Sequence, residues 1–417
     1  MAASRRGQPL ESPTGRGEGP ELVFAITAAL GTDVGSVSDA LAESLRRVDY
    51  DARTIHIVEL LYDIARWRAL PRAPHDVRIA SHQDAGNDFR RRMKHGGAMA
   101  LLATAAISAE RERLTGNATR PVSRCAYILR SLKHPEEART LRRIYGPAFF
   151  LIAAYSPHSR RVDRLATKIA QSRHAGQTAA FRDQAERLIQ RDQAELGNSF
   201  GQNVSMLFPM ADVFVNVENP EGFRQATERF VDLVFGRPFV TPTRDEYAMF
   251  HARAAALRSA DASRQVGAVI ATVNGDVIAV GSNEVPKAGG GLYWSGDSPD
   301  LRDFQLPEDP GQGLKSAMLG ELLDTFRRES WFASRLQGKS TAQLIEDALP
   351  LVRGSQFMGV GEFGRTVHAE MAALIDAARR GVAVSGQTLY TTTFPCHNCT
   401  KHLIAAGIER VVYVEPY

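Results

Sequence analysis

The sequence predicts an α/β protein of two globular domains, the first built on a parallel sheet with helices on both faces. Three observations predict it. Short β-branched and aromatic runs alternate with Ala- and Arg-rich helical stretches through the first half, the pattern of strands joined by helical crossovers. The chain has 417 residues, 44% of them hydrophobic, which is more than one core holds, since single cores rarely grow past about 250–300 residues. The second half reopens as helix, strand, turn, strand, with Asn274-Gly275 at the turn, a dipeptide that tolerates the positive φ of a tight hairpin.

The elements follow in order. Residues 1–20 are rich in Gly, Pro, Ser and Arg and are expected to be a disordered tail, with the first domain over 21–236. A strand over Leu22–Thr27, a glycine-bearing loop over Ala28–Gly35, a helix over Ser36–Arg47 and a strand over Thr54–Val58 make a βαβ opening. Further strands are expected at Arg124–Leu129, Ala148–Ala154 and Asp212–Val217, with helical stretches such as Phe89–Arg113 and Thr178–Glu195 between them. Gly236, Pro238 and Pro242 mark a boundary, and the second domain is expected over 243–417. Thr243 and Glu246 have capping-box spacing, and Tyr247, Phe250, Ala254 and Leu257 form an apolar stripe on the helix that follows. Strands at Val266–Val273 and Asp276–Gly281 flank the turn. An insert over 287–365 starts without periodicity and continues with helices at Leu314–Arg335 and Thr341–Leu351. A helix at His368–Arg380, a strand at Thr388–Thr392, a helix at Cys396–Ala406 and a strand at Arg410–Val414 complete the pattern.

Composition excludes some classes. No apolar run approaches the roughly 20 residues that cross a bilayer, and the first residues lack an apolar signal core. Only three cysteines occur, Cys125, Cys396 and Cys399. The last two have the spacing of a metal or redox site rather than of a disulfide framework, so a reducing, cytoplasmic setting without a membrane partner is expected. A net charge of +4 over 417 residues permits contact with anions without requiring a polyanion.

The chemistry-bearing constellation is His368-Ala369-Glu370 followed by Pro395-Cys396-His397-Asn398-Cys399, the signature of zinc deaminases as a class. Cysteines at i and i+3 on the first turn of a helix face one side, where the helix dipole favours their thiolates. His368 at the start of the preceding helix supplies a third ligand, and the fourth tetrahedral position stays open for water, as a catalytic Zn²⁺ site requires. Glu370, two residues beyond His368, is placed to move protons. His397 and His402 are read as non-ligands.

The blocks Ser263–Ile270, Gly281–Pro286, His368–Glu370 and Cys396/Cys399 resemble, in order, a deoxycytidylate deaminase. The resemblance implies a cytidine deaminase-like α/β/α domain with a mixed sheet, a deoxycytidine nucleotide as substrate, Asn283 on its sugar or base, and Val266, Gly267 and Ala268 walling the base pocket. It departs at Glu284, where a glycine is usual, and in the length of the insert. Together with the first domain, and with Tyr127–Pro135, Asp192–Glu195, Gly289–Trp294 and Glu362–Glu370, it is similar to bacterial anti-phage dCTP/dCMP deaminases that carry an amino-terminal P-loop-kinase-like three-layer domain. That resemblance implies depletion of deoxycytidine nucleotides during infection, a homo-oligomer, and restraint by a regulatory nucleotide or small inhibitory RNA.

The first loop, with Gly31, Thr32 and Asp33, has no lysine where a phosphate-binding loop places one, and Asp33 repels phosphate. It is expected to regulate, to bind nucleotide weakly or only to scaffold. Asn87, Arg90, Arg91, Arg160 and Arg161 are read as solvated polar residues rather than phosphate ligands. In the insert, Gly289-Gly290-Gly291 is expected to hinge a lid, with Tyr293, Trp294, Lys287, Arg302 and Arg365 on the nucleotide. Two other readings stay open: a tRNA or single-stranded DNA deaminase that uses Tyr293-Trp294 as a stacking platform, and a nucleotide- or RNA-sensing scaffold with structural zinc.

Overall fold

The computed structural model describes residues 19–195, 197–307, 310–352, 355, 358 and 364–415. The expected tail lies, as far as residue 18, outside the described residues, as do Glu362 and Phe363. The chain divides after Val240 into two compact units.

The first unit runs β1 (Leu22–Ala28), α1 (Val34–Arg46), β2 (Asp51–His56), α2 (His75–Arg92), α3 (Ala98–Thr115), β3 (Cys125–Leu132), α4 (Pro135–Tyr145), β4 (Phe149–Tyr155), α5 (His158–Ser172), α6 (Arg182–Gln193), α7 (Val204–Leu207), β5 (Val213–Asn216) and α8 (Pro220–Val234). Its sheet has the order β2-β3-β1-β4-β5 and every neighbouring pair is parallel. Such a sheet must be covered on both sides, and alternation along β1 does this. Val23 and Ala25 face a core shared with Met99, Ala103, Leu141 and Leu151. Leu22, Phe24 and Ile26 face the other, with Val37, Leu41, Phe223 and Val231. The result is the expected three-layer α/β architecture. The helix expected over Phe89–Arg113 is two helices, parted at Lys94–Gly97, where Lys94 adopts φ 50°. The second strand ends at His56, and residues Ile57–Asp63 turn as a 3-10 helix that buries Ile57 and Leu61.

The second unit runs α9 (Arg244–Ala256), β6 (Gly267–Ala271), β7 (Val277–Ser282), α10 (Pro310–Arg328), α11 (Thr341–Val352), α12 (Ala369–Arg379), β8 (Thr388–Thr393), α13 (His397–Ala405) and β9 (Arg410–Glu415). Its sheet, β7-β6-β8-β9, is mixed: β6 is antiparallel to both β7 and β8, whereas β8 and β9 are parallel. Ala268, Ile270 and Leu389 pack on one side against Ala369, Ala373 and Leu403 of α12 and α13. Val269, Ala271 and Tyr390 pack on the other against Ala248 and Ala252 of α9.

The capping box at Thr243 forms, with Glu246 reaching back to the Thr243 amide at 2.6 Å. The stripe on that helix is the reverse of the one expected. Ala248, Ala252 and Ala256 are buried, whereas Tyr247, Phe250 and Leu257 are exposed. Gly267 explains this: a Cβ there would lie 2.0 Å from the Ala252 carbonyl oxygen, so helix and strand meet backbone to backbone and only alanine fits between them. Gly281 plays the same part under α12, where a Cβ would meet the Ala369 oxygen at 2.1 Å.

Candidate metal centre

Two strand-to-helix turns build the site. β8 ends at Thr393, and the chain passes Phe394-Pro395 into Cys396, the N-cap of α13, whose sulfur receives the Cys399 amide at 3.5 Å. His368 is the N-cap of α12, with φ −65° and ψ 151°. Its approach is fixed by Val367, which exchanges backbone hydrogen bonds with Glu284 at 3.0 and 3.2 Å. The positive ends of both helix dipoles therefore converge where anionic ligands are needed.

His368 Nδ1 lies 3.3 Å from Cys396 Sγ and 3.4 Å from Cys399 Sγ. A tetrahedral ion with Zn–N of about 2.1 Å and Zn–S of about 2.3 Å holds N and S about 3.5 Å apart, so the spacing suits zinc. The chemistry of the donors agrees. Cys399 is buried, and burial, with Glu370 and Cys396 beside it, pushes its thiol far above the usual range. A cation is what makes such a thiolate stable. His368, Cys396 and Cys399 make the one group of three or more potential ligands among the described residues, and His397 and His402 stay outside it.

Glu370 stands in the first turn of α12, 4% exposed, with Oε2 3.6 Å from Cys399 Sγ. Burial raises its carboxyl above the ordinary value, against the lowering effect of His368. The carboxyl can thus hold a proton as well as accept one, beside the metal ligands.

Residues 242–415 match the family model described as the cytidine and deoxycytidylate deaminase zinc-binding region. The match lies within the second unit and spans less than half of the chain. ComE operon protein 2 of Bacillus subtilis (strain 168) is 45% identical over 53 residues, 13% of this chain and 28% of that protein. The deoxycytidylate deaminase of Enterobacteria phage T4 is 43% identical over 51 residues, 12% and 26%. The matches thus span little more than a quarter of those relatives. Among solved structures, dCMP deaminase from cyanophage S-TIM5 in complex with dCMP and dUMP covers 42% of this chain and 85% of its own at 21% identity and TM-score 0.25. A gluconokinase from Sinorhizobium meliloti 1021 covers 52% and 97% at 16% identity and TM-score 0.26.

Elsewhere in the deaminase-family region, several sequence-predicted contacts are occupied by the protein itself. Asn283 is buried, its Oδ1 accepting from the Val266 amide at 2.6 Å and its Nδ2 donating to the Arg264 carbonyl at 2.8 Å. It therefore shapes the segment that leads into Gly267 and Ala268. Ala268 belongs to the core beneath α12, and the Gly267 amide donates to Thr392 Oγ1 at 3.2 Å. Lys287 pairs with Asp297 at 2.9 Å, Arg302 with Asp300 at 2.5 Å and Arg365 with Asp303 at 3.0 Å. Each cation expected on phosphate thus has a carboxylate already.

The three glycines form a defined turn. All three have φ between 84° and 106° and turn a hairpin in which Lys287 N bonds Gly291 O and Tyr293 N bonds Val285 O. Tyr293 is buried. Trp294 is exposed, with the Arg258 guanidinium 3.6 Å from its ring centroid. Tyr293 and Trp294 therefore do not present two exposed rings side by side.

In the first unit, Gly31 has φ 89° and Asp33 caps α1 through Ser36. Asn87 and Arg90, read as solvated, are buried instead: Asn87 bonds the half-buried Glu195, and Arg90 pairs with the buried Glu137 at 3.0 Å. Arg91 and Arg160 are exposed. Arg161, read as solvated, is instead 6% exposed. Sequence reading placed Lys133 and Asp192 inside two blocks of resemblance but gave neither a role, because their meeting across 59 residues leaves no local pattern.

Proposed function

We propose that the protein hydrolytically deaminates a deoxycytidine nucleotide, dCMP or dCTP, with release of ammonia. The observation that carries the reading is Glu370, a buried carboxyl in the first turn of α12 and 3.6 Å from a cysteine of the His/Cys/Cys cluster. A structural zinc site has no use for a carboxyl there. Zinc held by His368, Cys396 and Cys399 supplies Lewis acidity that makes water a nucleophile near neutral pH.

Hydrolysis at C4 removes both protons of the attacking water, the first on attack and the second from the C4 hydroxyl as the C4–N bond breaks, and delivers one to ring N3 and one to the amino group that leaves as ammonia. A single carboxyl that alternately accepts and donates serves both removals and both deliveries. Glu370 is positioned for this work, buried and beside the ligand Cys399. The match to the deaminase family model and the relatives named as deoxycytidylate deaminases support a mononucleotide substrate. The resemblance of most of both domains to two-domain defence deaminases extends the proposal to nucleotide depletion during phage infection.

The test is one incubation series: zinc-loaded full-length chain with dCMP, dCTP, deoxycytidine and single-stranded DNA, following ammonia and uracil products. Turnover of dCMP or dCTP is the expected result. Turnover of the polymer alone transfers the site to nucleic acid, and a zinc-loaded protein inert on every substrate makes the metal structural.

A further inference from the structure

The loop after β1 surrounds an anion that belongs to the chain itself. Asp192, on α6, has a side chain only 2% exposed, and its Oδ2 accepts the Leu30 amide at 2.8 Å. The Lys133 ammonium lies 2.9 Å from Oδ1 and 3.0 Å from Oδ2, and also donates to the Ala28 carbonyl at 2.9 Å. Lys133 reaches this place through an irregularity at the end of β3. The register with β1 slips between Ile26 and Thr27, Ser131 takes φ 74°, and such bulges re-aim the residues that follow.

More donors stand around the same loop than Asp192 uses. Arg161 packs on Gly31 closely enough that a Cβ on the glycine would lie 2.6 Å from the Arg161 oxygen. Its Nε and Nη2 bond Ser156 O and His158 Nδ1. Its Nη1 is buried and has no hydrogen-bond partner among the described residues, and the same is true of Thr32 Oγ1. Arg164 donates to the Gly31 carbonyl at 3.0 Å. A loop amide, an ammonium, a buried guanidinium with an unused N–H and a hydroxyl are the donors that a tetrahedral phosphoryl group takes. A carboxylate, with two oxygens, leaves some of them idle.

We infer that Asp192 is an internal anion closing a phosphoryl-binding cradle formed by Leu30, Lys133, Arg161 and Thr32, in which Lys133 from β3 supplies the cation the loop itself lacks. The cradle is closed while Asp192 is in place and accepts a free or nucleotide-borne phosphoryl group when that carboxylate leaves. This is independent of the deamination reading.

Thermal melts of the full chain in inorganic phosphate and in sodium tripolyphosphate test it. Wild type should be unshifted by 10 mM of either anion. Asp192→Ala should gain about 3 °C or more, as expected when an anion binds only the folded state, and Lys133→Met in the same background should abolish the gain. Protection by phosphate places a single phosphoryl group in the cradle, and protection by tripolyphosphate alone places a nucleotide-like chain. If Asp192→Ala is recovered only unfolded, refolding in tripolyphosphate is the equivalent test. Equal protection of wild type, no protection or rescue of Asp192→Ala by either anion, or protection that survives loss of Lys133 overturns the inference.

Discussion

His368, Glu370, Cys396 and Cys399 were legible in the sequence because ligand geometry in this site is local: an N-cap and a first turn, twice over. Chemistry needs the same spacing wherever the fold places it. Glu370→Ala should therefore leave zinc content near one per chain while lowering turnover on the order of 10²–10⁴-fold, whereas Cys396→Ser or Cys399→Ser should lose metal and turnover together. Metal analysis beside an ammonia assay separates the two, and near-normal turnover of Glu370→Ala removes it from the proton path. The third cysteine gives an internal control. Burial pushes the Cys125 thiol up to about 11, so at pH 8 it should resist alkylation in the native state, with or without chelator. Chelation should expose Cys396 first, since Cys399 is buried, and mass spectrometry of alkylated peptides reports the order. By contrast, the ion pairs of Lys287, Arg302 and Arg365 were not legible. A sequence displays cations, but the aspartates that neutralise them are found only by folding the insert.

The elements show where pattern reading succeeds and where it inverts. Strand existence followed from β-branched runs, yet α9 presents its alanines to the sheet and its large residues outward. A hydrophobicity stripe predicts which face is buried only when side-chain volume, and not backbone approach, sets the spacing. Gly267 and Gly281 set it here. Gly281→Ala offers the sharper test because it lies under α12, which carries His368 at its cap. The added methyl meets the Ala369 oxygen at 2.1 Å and the Ala373 nitrogen at 2.4 Å, and backbone on both sides leaves no rotamer to relieve it. The helix must move away from β7, at a cost of about 1–3 kcal/mol for overpacking. His368 and Glu370 should move with it. The expected outcome is a lower melting temperature together with zinc affinity reduced about tenfold or more, read by competition with a chromophoric chelator. Unchanged zinc affinity in a destabilised variant would show that the turn at Val367, held by Glu284, positions His368 without help from the helix.

At the scale of the molecule, alternation of strands and helices was enough to anticipate two α/β layers systems, but not the order in which strands pair. β3 lies beside β1 although about 100 residues separate their partners, as in the pairing of Leu22 with Ala126, and such contacts are invisible to any local window. Each unit nevertheless buries cores of its own: Val23, Tyr127 and Leu151 in the first, Ile270, Leu389 and Ala373 in the second. All three candidate zinc ligands belong to the second unit. Metal that binds only the folded state adds its binding free energy to the stability of the structure that contains its ligands, and opening free energies differ between cooperative units. Removing zinc should therefore accelerate amide exchange in α12, α13 and β8 by an order of magnitude or more while β1, β3 and β4 keep their protection. Hydrogen exchange followed by peptide mass spectrometry, before and after chelation, makes the measurement. Loss of protection in β1, β3 and β4 in step with α12 would instead show that both cores open as one cooperative unit, and the metal would then stabilise the entire chain.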